Sequence, residues 1–391
     1  MKYQFPHIKT LDDVRPAIEG RDEFIVAERP WGYVVNYMVN MPDSFPEVNS
    51  NLDAIRRECR GMLFFPNGRI MARRFHKFFN VQERDETQLH CIDLSQPHVI
   101  LEKFDGSMIT PVETVDGFTW GTKMGLTDVA GPVADWVQLH QNYLTFAQTQ
   151  MQMGYTPIFE WCSRKQRIVV DYPEDRLVLT AIRNTVTGEY VPLEDMQDLA
   201  EDYELDCVKT YPGTAASLKH LIAETRDATG IEGWIIRFAD GHMLKLKSCE
   251  YLAYHKAKES IAFEKNIVDL LVTEKIDDAK AFMLDEDRHR VERFEAEFWG
   301  GFNNKELELE AELKMAGIAT NGDRKMFAVE IAPKMEPVAR SLFFAVWDGK
   351  RNLTEEMISV IQKNTGSQPK LDTVRHLWGG ATWNYSFNEE G

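Results

Sequence analysis

The chain lacks any apolar run of the roughly 18 or more residues needed to cross a bilayer, so no membrane span is expected. Its start, MKYQFPHIKTLDD, is polar and has no signal-peptide core; a soluble, cytoplasmic protein is expected. Cysteine is sparse: Cys59, Cys91, Cys162, Cys207 and Cys249 are odd in number, widely spaced and form no CxxC pair. That excludes a disulfide framework and argues against structural zinc, leaving buried thiols in a reducing compartment. The phosphate-cradling GxxxxGK[ST] loop is missing, which excludes a P-loop kinase. Repeats and low-complexity tracts are absent. Positive charge is in deficit as well: the net charge is −17, which argues against strong nonspecific binding to nucleic acid, because phosphate contacts need cations.

What is present is a local contrast within that average. Between Arg56 and Lys77 stand seven cations (Arg56, Arg57, Arg60, Arg69, Arg73, Arg74, Lys77) against one acid, Glu58, while residues 291–314 are rich in glutamate. An acidic enzyme can still hold a polyphosphate if its cations converge in one cleft. With 391 residues and 43% apolar content, the chain can bury more than one core. Residues 1–250 read as an α+β domain that includes an N-terminal α/β portion to about residue 97, and residues 251–391 as a mainly helical second domain. GYVVNYMV, MLFF, HVILE, TPIFEW and GWIIRF have strand character. Asn67-Gly68 and Asp240-Gly241 mark hairpins. The spacing predicts one helix over 131–153, strands over 167–170 and 177–182, and a helix over 214–225. Beyond Tyr251 the charged, periodic FEKNIVDLLV and ELELEAELKMAG predict helices.

Five short stretches carry chemistry. Glu102-Lys103-Phe104-Asp105-Gly106-Ser107 places a lysine at the end of an apolar strand, before a turn whose glycine permits close approach of a ligand. A lysine amine is a nucleophile only when deprotonated, and neighbouring cations or desolvation favour that form. Arg60-Gly61 precedes an apolar run. In Phe159-Glu160-Trp161, alternation turns the acid away from the two aromatic side chains. Glu232-Gly233 opens another apolar strand, and Leu244-Lys245-Leu246-Lys247 puts two lysines on one strand face. The hairpin turn sets Lys247 at the same sheet end as Glu232. Lysines beside a glutamate suit a site for phosphate and a divalent cation. Each stretch alone is equally consistent with a solvated turn or strand edge.

Taken as an ordered set, they resemble a family. Lys103-Phe104-Asp105-Gly106-Ser107 resembles motif I of the covalent nucleotidyltransferases, the ligases and mRNA capping enzymes. Phe159-Glu160-Trp161 resembles motif III, Glu232-Gly233 motif IV, and Lys245-Leu246-Lys247 motif V. Upstream Arg60-Gly61 and Lys77-Phe78-Phe79-Asn80, and downstream Ser248 and Tyr251, are similar to the phage tRNA-repair RNA ligases, over about residues 30–256. DNA ligases and capping enzymes carry their key arginine downstream of the lysine and add an OB-fold, whereas here the arginine is upstream and the tail helical.

The resemblance implies an ATP-grasp-like nucleotidyltransferase domain of antiparallel sheets and flanking helices, with the helical tail a candidate RNA-specificity module. It implies ATP-dependent joining of RNA 5′-phosphate and 3′-hydroxyl ends through a lysine–AMP intermediate and an adenylated RNA end. Lys103 is then the nucleophile, with Glu232, Lys245 and Lys247 as catalytic partners. Arg60 and Lys77 face the leaving pyrophosphate, and Lys245 and Lys247 the α-phosphate. These cations are expected to keep Lys103 neutral. Glu102 joins the nucleotide-binding set. Lys123 either contacts nucleotide or is a solvated turn lysine. Asp105, Glu160 and Glu232 are the candidate acids for Mg²⁺ or Mn²⁺, directly or through water; Glu160 binds the ribose in the alternative. Tyr251 supports the site or packs in the core. The expected substrate is single-stranded RNA or broken tRNA, with end-healing kinase and phosphatase supplied by another protein, and the chain is expected to be a monomer. The competing readings are a DNA ligase or capping guanylyltransferase, and an inactive RNA-end-binding protein.

Overall fold

The computed structural model describes residues 4–39, 41, 43–211 and 217–385. The chain divides into two compact units, Met1–Leu252 and Ala253–Phe387. Three four-stranded sheets build the first. Strands β1 (Phe24–Arg29), β2 (Gly32–Tyr37), β3 (Met62–Phe64) and β4 (Ile70–Ala72) form an antiparallel meander. Helices Leu11–Ile18 and Asn51–Glu58 bury Leu11, Val14 and Ile55 against its Val35 and Phe64.

The remaining strands interleave. They are β5 (Phe79–Asn80), β6 (His98–Lys103), β7 (Ser107–Thr114), β8 (Gly117–Gly121), β9 (Tyr155–Cys162), β10 (Arg176–Asn184), β11 (Gly233–Phe238) and β12 (Met243–Lys247). One sheet runs β10-β9-β7-β8 and the other β5-β12-β11-β6. The chain therefore leaves one sheet at Lys103 and enters the other at Ser107, and the four-residue step carries the lysine turn. Alternation divides the second sheet's faces. Leu101 and Ile235 join the core of Phe159, Leu177 and Leu179, while Ile236, Leu244 and Leu246 pack with Leu221 of the helix Leu218–Asp227.

The second unit has no strand among the described residues. Its longest helix, Asp285–Ala319, buries Val291, Phe294, Phe298 and Phe302 at three- and four-residue spacing and Leu309 two turns further on. Glu264–Val272, Pro337–Val346 and Leu353–Asn364 close the same core, around Trp378. Among the described residues no helix is long and apolar enough to cross a membrane.

Three expectations need correction. The single helix over 131–153 is two, Ala130–Leu139 and Gln141–Gln152. The break falls at His140, whose ring Nδ1 lies 2.8 Å from the Trp136 carbonyl and competes with the helical ladder. Residues 167–170 are not a strand; the Val169 and Val170 amides donate instead to the Asp105 carboxylate, at 2.6 and 2.7 Å. The helix expected over 214–225 is Leu218–Asp227, and residues 214–216 lie outside the described ones.

The basic stretch also does a different job from that suggested by its charge. Arg57 pairs with Glu86 at 2.7 Å. Arg73 and Arg183 grip the fully buried Glu58, with Arg183 donating to both carboxylate oxygens at 2.7 and 2.8 Å. Burial opposes the charge on Glu58, but the two guanidiniums outweigh it and hold the carboxyl down at about 2. Arg74 donates to Thr110 and to the Gly61 and Gly121 carbonyls. Three of the stretch's six arginines, Arg57, Arg73 and Arg74, are thus engaged inside the protein.

Candidate functional site

The register across the second sheet assembles the centre of the site. Gly233 of β11 lies opposite Lys103 of β6 on one side and Lys247 of β12 on the other. Glu232, one residue earlier, sits at that sheet end between the two lysines. Its Oε2 is 2.7 Å from Lys103 Nζ and its Oε1 is 3.0 Å from Lys247 Nζ. Only glycine can follow Glu232, because φ at Gly233 is +151° and a Cβ there would lie 1.9 Å from the Leu246 carbonyl oxygen.

The turn after Lys103 is fixed from both sides. Asp105 Oδ2 accepts the two valine amides, Oδ1 accepts the Tyr251 hydroxyl at 2.9 Å, and the Asp105 amide donates to the Tyr172 hydroxyl at 2.9 Å. At Gly106 a Cβ would lie 2.3 Å from the Trp161 carbonyl oxygen and 3.1 Å from Glu160 Cγ. This close approach brings the lysine turn against β9, where Glu160 pairs with Met108.

A second group of cations surrounds this centre. Lys245 shares the strand face of Lys247 and lies over the Phe78 ring, with Nζ 4.7 Å from its centroid. Parallel pairing of Lys245 with Asn80 brings the Lys77-Phe78-Phe79-Asn80 segment alongside. Lys77 Nζ is 3.4 Å from the Tyr37 hydroxyl. Arg60 is tied to Lys123 through its neighbour: Gly61 has φ +80° and packs so closely that a Cβ would be 2.6 Å from the Lys123 carbonyl oxygen.

The protonation pattern follows from this layout. Burial disfavours charge on Lys103, but Glu232, Glu160 and Asp105 outweigh it and raise its affinity for a proton above the ordinary value. The expectation that neighbouring cations keep Lys103 neutral is therefore corrected: the acids are nearer in effect than the cations. That role falls on Lys245, which burial and then Arg60, Lys103, Lys77 and Lys247 push well below the usual lysine range. Burial likewise lowers Lys77. Glu232 is held down by its two lysines despite its burial. Burial raises Glu160 to about 7, with Lys103 opposing and Glu232 reinforcing the shift. Tyr37, resisted by its own burial, is drawn down to about 8 by Arg60, Lys77 and Lys123.

Lys103, Glu160, Glu232, Lys245, Lys247, Arg60 and Lys77 thus form one electrostatic group, and Lys123 reaches it through Tyr37. Glu102 does not join. Strand alternation turns it from Lys103, and its charged surroundings are Lys209, Arg176 and Asp206. Tyr37 was not foreseen, since it closes an apolar strand with no motif around it; only its place opposite the basic segment reveals it. For a divalent cation the three candidate acids differ. Among the described residues no group of three or more His, Cys, Asp or Glu side chains converges as a ligand set. Asp105 is consumed by its three donors and Glu232 by its two lysines. Glu160, half-buried and raised, is the carboxylate whose chemistry fits a cation.

The RNA ligase family matches residues 58–260, just over half of the chain. The chain belongs to the RNA ligase family. The match includes every residue of the site from Arg60 to Tyr251 and leaves out Tyr37. The activity that goes with membership is ATP-dependent joining of RNA ends by covalent nucleotidyl transfer. A protein of Thermovibrio ammonificans described as an RNA ligase is 28% identical over 270 residues, covering 66% of this chain and 67% of its own. Among solved structures, an archaeal ATP-dependent RNA ligase is similar at 13% identity and TM-score 0.44, over 74% of this chain and 79% of that one. An RNA ligase of Naegleria gruberi is similar at 16% identity and TM-score 0.39, over 65% and 85%. Both structural likenesses are distant, and membership rests on the sequence.

Proposed function

We propose that Lys103 is the nucleophile of this RNA ligase and that the surrounding cations hold the triphosphate of ATP. The observation that carries this reading is the Glu232 carboxylate bridging Lys103 and Lys247, which joins three separate motifs at one sheet end.

Lys103 Nζ must first lose its proton. Glu160, which titrates at about 7 within the field of Lys103, can accept it near neutral pH. The free amine attacks the α-phosphorus, a P–N bond forms, the P–O bond to pyrophosphate breaks, and pyrophosphate departs. Lys247 and Lys245 stabilise charge on the α-phosphate, and Arg60 and Lys77 charge on the leaving group. In the second step an oxygen of the RNA 5′-phosphate attacks the same phosphorus; the P–N bond breaks and Lys103 regains a proton. In the third, the 3′-hydroxyl attacks the RNA 5′-phosphorus, the phosphodiester forms, and AMP leaves. Once it has passed that proton to solvent, the ionised Glu160 would hold a divalent cation, which when bound neutralises phosphate charge. Asp105 holds the lysine turn rather than the metal.

The test is incubation with labelled ATP or labelled GTP, followed by acid quench and peptide mapping. Label from ATP is expected on Lys103 and lost in Lys103→Ala. Preference for GTP, label surviving Lys103→Ala, or sealing of nicked duplex DNA in preference to single-stranded RNA would each overturn the reading.

A further inference from the structure

Five arginines are buried among the described residues: Arg57, Arg73, Arg74, Arg183 and Arg237. Arg57 has Glu86, Arg73 and Arg183 share Glu58, and Arg74 has three oxygen acceptors. Arg237 is the exception. It is 6% exposed and, among the described residues, it has no acid partner and its buried Nη1 has no acceptor. Its guanidinium carbon lies 6.0 Å from the Tyr190 ring centroid. An unpaired buried guanidinium is costly, and native proteins rarely leave one without a counter-charge.

Arg237 lines a cavity of about 870 Å³, with Tyr190, Phe238, His98, Thr187 and Leu193 among its walls. A cavity of this size suits a small organic ligand. The rings of His98 and Phe238 lie 5.8 Å apart and, with Tyr190, give the cavity aromatic surface. This volume is separate from the Lys103 site. Arg237 is four residues along β11 from Gly233, about 13 Å at ~3.3 Å per strand residue.

We propose that this cavity is a second anion site, binding one phosphate group carried on a nucleoside. The guanidinium supplies the planar, permanently charged donor that phosphate needs, and the aromatic walls supply faces for a base. Glu189 and Asp240 also line the cavity and would repel a triphosphate, so a singly charged phosphodiester or a monophosphate fits better than ATP. Two sources share that chemistry: a free nucleoside monophosphate, or one nucleotide of an RNA strand.

The full chain is dialysed to equilibrium against labelled AMP and, in a separate arm, against a short 5′-hydroxyl oligoribonucleotide that cannot be adenylated. If the ligand is free, the unaltered protein binds two AMP and Arg237→Met binds one, while Lys247→Ala keeps the Arg237-dependent molecule. If the ligand is part of a strand, Arg237→Met weakens the oligonucleotide by roughly tenfold or more and leaves AMP unchanged. Adenylation of Lys103 by ATP persists in Arg237→Met in either case. The proposal is overturned if Arg237→Met changes neither arm. It is also overturned if that variant melts at lower temperature than the unaltered protein or fails to fold. Removing an uncompensated buried charge should hold or raise the melting temperature, so a fall would mark Arg237 as structural.

Discussion

Two glutamates in the first unit are each bridged by two cations, and the pairs serve opposite ends. Glu58 is gripped by Arg73 and Arg183, and all three side chains are fully buried. Glu232 is bridged by Lys103 and Lys247, which remain 17% and 23% exposed. A guanidinium cannot be deprotonated in a protein and binds carboxylate with a rigid fork, so the Glu58 cluster is a permanent clamp. An ammonium is a point charge on a flexible stem that can give up its proton, so the Glu232 cluster can be taken apart by a ligand. The same electrostatic motif is structural when built from arginine, and in the proposed function it is chemical when built from lysine.

The comparison breaks most sharply at Lys103. Lys103→Ala should cut adenylation by about 10⁴-fold or more and leave the circular dichroism spectrum intact. Lys103→Arg should be equally inactive, since it keeps the charge but not the nucleophile. Lys247→Ala should cost about 10²–10³ in the adenylation rate, read from single-turnover labelling.

At the other cluster, Glu58→Gln should leave Lys103 chemistry available but cost about 3–5 kcal/mol of stability, because two buried guanidiniums lose their counter-charge. Denaturant melts of the first unit's signal measure this. The Glu58 carboxyl titrates at about 2 when folded, below its ordinary 4.5. Its contribution is therefore complete above 4.5 and lost as pH falls toward 2, so the difference between Glu58→Gln and the unaltered protein should shrink over that window.

The smallest effect is expected at Glu160. Its carboxyl is raised from 4.5 to about 7, so ionisation destabilises the fold as pH climbs through that range. Glu160→Gln should melt higher at pH 8, by about 2–4 °C, and unchanged below pH 4, where the carboxyl is protonated folded and unfolded alike. An equal shift at both values would show that packing rather than charge is responsible.

Much of the site was legible because its residues lie in short local patterns. A lysine ending an apolar strand, a turn glycine, an acid between aromatics and alternating lysines are each visible within six residues. Strand pairing of Gly233 with Lys247 followed from the Asp240-Gly241 hairpin alone. What stayed hidden depends on contacts distant in sequence. Residues 167–170 look like a strand by composition, yet their amides are taken by Asp105. Tyr37 carries no local mark, and it becomes part of the cleft only because β2 lies beside the basic segment. The seven-cation run reads as able to hold a polyphosphate if it converges in one cleft, but three of its arginines, Arg57, Arg73 and Arg74, are internal ties.

Residue identity and spacing carried the resemblance, and the resemblance pointed to the reaction class, to Lys103 as the proposed nucleophile and to the acids and cations proposed to serve it. The charge state of those groups was decided only in three dimensions. Lys103 binds its proton more firmly because Glu232 is brought beside it by strand pairing, and Lys245 is pushed well below the usual lysine range by its burial and then by the cations gathered around it. Coulomb energy depends on distance through a poorly polarisable interior, and sequence order contains no such distances.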